Sequence, residues 1–290
     1  ASTVHSSDDA SRRPPVAIAL VVAVIAIGFA GPFFRKADPT HPLVKSGLRL
    51  AMAAVAFAPF ALRGRLTRRQ ARGAVAAGVL YGVHFGAWVW SLGLTSMAAS
   101  VTLVTSTPLM LATVALITGR DRPTPRLWLA LGLATVGVGC IGGFDLGAGR
   151  PAPLLGDGLA LLGAAAMAGY LALARGLGEL DVLAFSGVAT AVGAACLLTA
   201  AAALGHPPVA ASWASFGWLV AATGISQLIG HTLITWSLRH TTPTAVGLAT
   251  VGEPVVATAL AWAWLGEAPG GLVLIGAGIT LAAVVLALRR

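Results

Sequence analysis

The chain has 290 residues, 57% hydrophobic and only 10% charged, with a mean hydropathy of +0.86. A soluble domain runs at about 45–50% apolar and roughly 25% charged residues, and it lacks the interior to hide more, so this chain belongs in a bilayer. The net charge of +9 does not point to nucleic acid. Lys and Arg lie scattered in the gaps between apolar runs, as membrane topology requires, and form no basic binding face.

Residues 1–14 are small and polar and read as a disordered cytoplasmic tail. Arg12-Arg13 before an apolar run is similar to a signal peptide's opening, but Val16–Phe34 is long and no small-x-small cleavage site leads into a soluble mature chain. It is expected to stay as the first span. A spanning helix takes about 20 apolar residues, and nine further runs qualify. They are Pro42–Leu62, Ala71–Leu94, Ala98–Thr118, Arg126–Phe144, Leu154–Arg175, Val182–Leu204, Trp213–Leu238, Pro243–Leu265 and Gly270–Leu288. Gly, Pro and Arg punctuate the gaps, as in Gly119-Arg120-Asp121-Arg122-Pro123 and Gly205-His206-Pro207-Pro208. Trp213, Trp218, Trp262 and Trp264 fall near span ends, where aromatic belts sit.

Ten spans with both termini inside leave only Arg35, Lys36, Lys45, Arg49 and Arg150 outside or in the outer half of a span, out of 19 Lys and Arg. Arg65 and Arg122 then share the cytoplasmic face. A shift by one helix scrambles that asymmetry, so the rule of positive loops inside favours this arrangement.

The chain also repeats. A shift of 146 residues lays Trp90-Ser91-Leu92 on Trp236-Ser237-Leu238, Pro108 on Pro254, Pro123 on Pro269 and Gly132 on Gly278 without a gap. Trp and Pro are scarce enough for the register to mean something. Two copies follow, 15–145 and 153–288, each with five spans. An odd number of spans turns the second copy over. The expected fold is therefore an all-α membrane protein of ten transmembrane helices in two inverted five-helix repeats, the architecture of secondary transporters with a site where the copies meet.

Pro254 to Leu265-Gly266-Glu267, with Glu253 ahead of it, resembles the signature segment of EamA-type members of the drug/metabolite transporter superfamily. Pro108 to Gly119-Arg120-Asp121 is its counterpart in the first copy, and Leu48-Arg49 and Lys36 also resemble that family. In the first span Gly28-Phe29-Ala30-Gly31-Pro32 stands where the family has a Trp-Gly pattern. Within the family, the surroundings of His84 and Trp88 look most similar to YddG-type exporters of aromatic amino acids. The resemblance implies a bacterial inner-membrane exporter of small metabolites, amino acids foremost.

Polar side chains at membrane depth are costly and mark function by default. Tyr81, His84, Trp88, Ser91 and Thr95 recur at intervals of three and four and form one stripe on the third span. Gln227, His231 and Thr235 do the same on the eighth. The candidate substrate-binding residues are Tyr81, His84, Trp88, Ser91, Thr95, Tyr170, Gln227 and His231. The competing reading for each is an interhelical hydrogen bond without substrate contact. The 146-residue shift lays His84 on Gly230, not on His231, so an asymmetric pocket is expected. Pro108 and Pro254 each remove a backbone hydrogen bond and are expected to bend their helices. Glu253 either carries protons or satisfies the backbone freed by Pro254.

Walker A, His-Glu-x-x-His and Gly-x-Ser-x-Gly patterns are absent from the sequence, as are clustered carboxylates. Cys140 and Cys196 form no CxxC pair. No catalytic residue, metal or cofactor is expected, and the expected partners are a small solute and the lipid bilayer, with a monomer sufficient. The aromatic stripe suggests planar or aromatic amino acids. Efflux of cationic amphipathic drugs through cation–π attraction is the first alternative. An intramembrane enzyme or lipid-handling protein is the alternative of another class.

Overall fold

A computed structural model describes residues 16–95, 97–142, 152–265 and 270–288. Among these, every regular element is helical. The expected tail at 1–14, Arg150, Pro269, Arg289 and Arg290 lie outside the described residues.

The first apolar run forms α1 (Val16–Gly28) and α2 (Ala30–Lys36). α3 (Pro42–Arg63) starts at a cap in which His41 Nδ1 accepts from the Leu43 amide at 3.4 Å. Pro42 occupies the first turn, where its missing N–H costs nothing. Thr67 and Gln70 close a capping box on α4 (Arg68–Leu94). α5 (Met97–Val104), α6 (Thr107–Thr118) and α7 (Pro125–Gly142) follow. The remainder begins with α8 (Pro153–Gly176) and α9 (Val182–Ala203), the latter capped by Asp181. Next, α10 (Trp213–Ala221) runs without a break into a π-helix (Ala222–His231) and then α11 (Thr232–Ser237). α12 (Pro243–Thr250), α13 (Glu253–Leu265) and α14 (Gly271–Leu288) complete the chain.

Among the described residues, seven helical segments are long and apolar enough to cross a membrane, and three shorter apolar helices accompany them at Thr107–Thr118, Pro125–Cys140 and Gly271–Ala287. Proline explains one shortening. The sequence led to the expectation that Pro108 bends its helix, but there is no continuous helix for it to bend. It stands in the first turn of a new helix after a break at Thr105-Ser106. Pro254 does the same after Val251-Gly252. A proline inside a helix loses a bond and clashes with the preceding turn, whereas in the first turn it does neither. The starts of α5, α6 and α7 at Met97, Thr107 and Pro125 recur 146 residues later at Pro243, Glu253 and Gly271, the starts of α12, α13 and α14.

α3 packs along α9, α4 along α8 and α9, α1 along the π-helix and α11, and α7 along α14. Close approach has a sequence basis at two glycines. A Cβ on Gly78 of α4 would meet Val192 at 2.6 Å and the Ala189 carbonyl of α9 at 2.7 Å; one on Gly230 would meet Ile27 of α1 at 2.6 Å. The main core joins Leu20, Phe34, Leu50, Tyr81, Phe85, Trp88, Tyr170 and Phe185, and a second core lies between α7 and α14. Val55, Leu62, Ile117, Leu154 and Trp213 are exposed, which suits lipid and would be a liability in water. Trp262 and Trp264 are also exposed, while Trp218 sits 5.9 Å from Phe33 and 5.8 Å from Trp264.

Polar bonds gather the loops at two ends. At one, Arg69 donates to the Gly176 carbonyl at 3.0 Å, Gln70 to the Glu179 carbonyl at 2.6 Å, and Arg175 pairs with Asp121 at 3.5 Å. Arg239 pairs with Glu179 there too. At the other, Lys45 pairs with Asp38, the Ala211 amide donates to Thr40 at 3.0 Å, and the His41 and His206 rings stack at 3.7 Å.

Candidate functional site

Between these ends lies a cavity lined from α1, α2, α4, α5, α6, α8, the π-helix, α11, α12 and α13. α4 contributes His84, Phe85 and Trp88, and the end of the π-helix contributes His231. Thr105 and Thr107 come from the α5/α6 break, and Thr250 and Glu253 from the matching α12/α13 break. Ile27, Met167, Leu171 and Ile234 make the wall apolar. Such a lining, apolar with a few convergent polar groups, is the usual form of a small-molecule site. About 50 Å³ is open to the centres of water molecules, so the cavity is narrow in this conformation.

His84 is held by a short bond between Nδ1 and the Gly163 carbonyl, 2.8 Å. A carbonyl only accepts, so Nδ1 carries the proton, and in the neutral ring Nε2 is left as an acceptor. α8 thus takes the ring's donor, and only the acceptor is left for a solute. Trp88 stacks 6.2 Å from His84, and its Nε1 is buried without a hydrogen-bond partner. His231 meets Phe85 edge-on at 5.1 Å. His84 and His231 both reach the cavity, from positions that the repeat does not relate, so the lining is asymmetric.

The other candidates lie elsewhere. Tyr81 and Tyr170 stack at 4.5 Å behind the lining, with Tyr81 edge-on to Phe85 at 4.8 Å and to His231 at 5.7 Å. The Tyr81 hydroxyl accepts from Gln227 Nε2 at 2.9 Å, and the Tyr170 hydroxyl bonds Thr235 at 3.0 Å. Tyr81 and Gln227 are 146 residues apart, equivalent positions in the repeat register. Ser91 bonds the Trp88 carbonyl at 2.7 Å and Ser100 at 2.6 Å. Thr95 ends α4 and packs on Gly156. None of these five lines the cavity, and the reason is depth: a stripe over four turns of helix passes through several layers. Pro108 lies beside a separate apolar pocket with Leu131 and Val138.

One group escaped the sequence reading as a site residue. Arg49 is fully buried on α3, its guanidinium carbon 4.3 Å from the centre of the Phe85 ring and 5.5 Å from that of Phe34. Its signal was an arginine seven residues inside an apolar helix that starts at Pro42, but it was weighed only for topology and for the family resemblance. Thr107 was missed as well; it donates to the Ala164 carbonyl at 3.3 Å and joins α6 to α8 at the cavity wall.

The model of the EamA-like transporter family matches residues 14–143 and again 154–289. The chain belongs to the EamA-like transporter family. As an EamA-like transporter it is a multi-pass membrane protein that moves small molecules, and the paired matches fit an internal duplication. One solved crystal structure is similar over 94% of this chain and 96% of its own, with a TM-score of 0.75 at 17% identity. That likeness concerns the fold. No curated protein sequence matches the chain.

Proposed function

We propose that this EamA-like chain is a ten-span secondary transporter of two inverted five-helix repeats that exports neutral amino acids, aromatic ones foremost, across a bacterial inner membrane by alternating access. Both termini lie in the cytoplasm, and a single copy encloses the site. The observation that carries this reading is the cavity wall: Thr107 and Glu253, which open α6 and α13 146 residues apart, both line it. Interrupted helices that meet at a shared cavity are the usual substrate-binding device of repeat-built transporters.

Phe85, Trp88 and the apolar wall suit a planar side chain, and His84 Nε2 offers an acceptor to an ammonium group. Efflux of cationic drugs fits less well, because the fixed charge of Arg49 lies directly behind Phe85. An enzymatic role has no support from a transporter family.

Purified protein in liposomes, assayed with labelled amino acids with and without a pH gradient, tests the proposal. Flux of phenylalanine or tryptophan above protein-free vesicles is expected. Movement of a lipophilic cation with no amino-acid flux would overturn it.

A further inference from the structure

Arg49 presents an unsolved problem in the resting structure. Its side chain is fully buried, and Nε, Nη1 and Nη2 all lack a hydrogen-bond partner. A guanidinium carries five N–H donors in a planar fork. Leaving such donors unpaired in a dry interior is among the costlier arrangements a fold can keep. The Phe85 and Phe34 rings attract the cation but satisfy no N–H. Among the described residues Arg49 forms no ion pair, with Glu253 or any other carboxylate. The same Phe85 ring that lies over the guanidinium lines the cavity, so one aromatic side chain separates the charge from the site.

We propose that Arg49 anchors the substrate's carboxylate once Phe85 turns aside, and that Glu253 takes the substrate's ammonium, so that the site selects the zwitterionic head of an α-amino acid. This rests on the amino-acid reading above and adds the groups that recognise the head. The guanidinium fork matches a carboxylate with two parallel bonds, a geometry no other side chain offers so well. Glu253 and His84 both line the cavity, and His84 Nε2 is the second acceptor. Trp88, Met167, Leu171 and Ile234 receive the side chain. The head group thus supplies the partner that the buried Arg49 lacks, and the Phe85 cover keeps Arg49 out of reach when the site is empty.

The test measures binding of three ligands that share one ring system to the purified full chain. Tryptophan has both charges, tryptamine lacks the carboxylate, and indole-3-propionate lacks the ammonium. Arg49→Gln should weaken tryptophan and indole-3-propionate by about tenfold or more, the size of one lost charge-assisted pair, and tryptamine far less. Glu253→Gln should weaken tryptophan and tryptamine while sparing indole-3-propionate. Arg49→Lys, which keeps the charge without the fork, should fall between wild type and Arg49→Gln for tryptophan. Ratios between ligands do not depend on how much of a variant folds, so a destabilised preparation still answers the question. Equal weakening of all three ligands by Arg49→Gln would overturn the anchor while the amino-acid reading stands. Failure of wild-type protein to bind tryptophan, under conditions where it binds another solute, would overturn both.

Discussion

Tyr81 and His84 sit one turn apart on α4, yet one meets the protein and the other the cavity. Tyr81→Phe removes the partner of Gln227 Nε2, whose Oε1 is already unmatched. It should lower stability by about 0.6–2 kcal/mol, the range for interhelical bonds in membranes, and leave ligand affinity unchanged. His84→Ala should lower the melting temperature through loss of the Gly163 bond and also weaken ligand binding by about tenfold, through loss of the acceptor. Melting and binding measured on one preparation of each variant check both. Normal affinity in His84→Ala, or lost affinity in Tyr81→Phe, would reverse the assignment. The sequence marked this stripe correctly by its polarity, because polar groups must turn away from lipid. It could not divide the stripe, since the spacing gives the face of a helix and not the depth at which a neighbour opens a cavity. Arg49 shows the opposite failure: its depth was legible, but it was weighed only for orientation and for the family resemblance.

At the scale of elements, the places of the helix breaks were legible and the π-helix was not. Matched prolines in a 146-residue register marked the two places, but as bends within single spans, where the structure has breaks between α5 and α6 and between α12 and α13. The π-helix at Ala222–His231 keeps the same apolar composition as an α-helix and changes only its hydrogen-bond register, so composition and spacing carry no mark of it. It sets His231 at the cavity while Gly230 admits α1. If the α12/α13 break lets α13 move against α12, Pro254→Ala should slow transport several-fold and change ligand affinity little, since it permits one continuous helix. Single-turnover flux and equilibrium binding separate the two effects, and unaltered flux would make the break a packing feature. The cap of α3 predicts a pH effect. Burial first, then the charges of His206 and Lys45, holds the His41 imidazole below the usual 6.5. The unfolded chain therefore binds more protons as pH falls, so this contribution to stability is full above about 6.5 and is lost below it. Protonation also takes Nδ1 away from the Leu43 amide. Thermal stability should drop between about pH 7 and 5, and drop less in His41→Asn, which keeps a capping oxygen. Identical profiles for the two proteins would remove His41 from the account.

For the whole molecule, the sidedness of the loops is the claim on which the rest depends. The segments around Arg69, Asp121, Arg175 and Arg239 are bonded together at one end, and those around Asp38, His41, His206 and Ala211 at the other. The first end is rich in arginine, as a cytoplasmic face should be. In an inverted repeat the loop after the second span and the loop after the seventh must lie on opposite sides of the membrane. Those loops carry Arg65 and Val209, both exposed. The most direct test replaces Cys140 and Cys196, introduces single cysteines at Arg65, Arg122 or Val209, and treats intact cells with a membrane-impermeant maleimide. The account predicts labelling at position 209 alone, with 65 and 122 reacting only after the membrane is opened. Labelling of 65 together with 209 in intact cells would contradict the inverted repeat and the central site that rests on it.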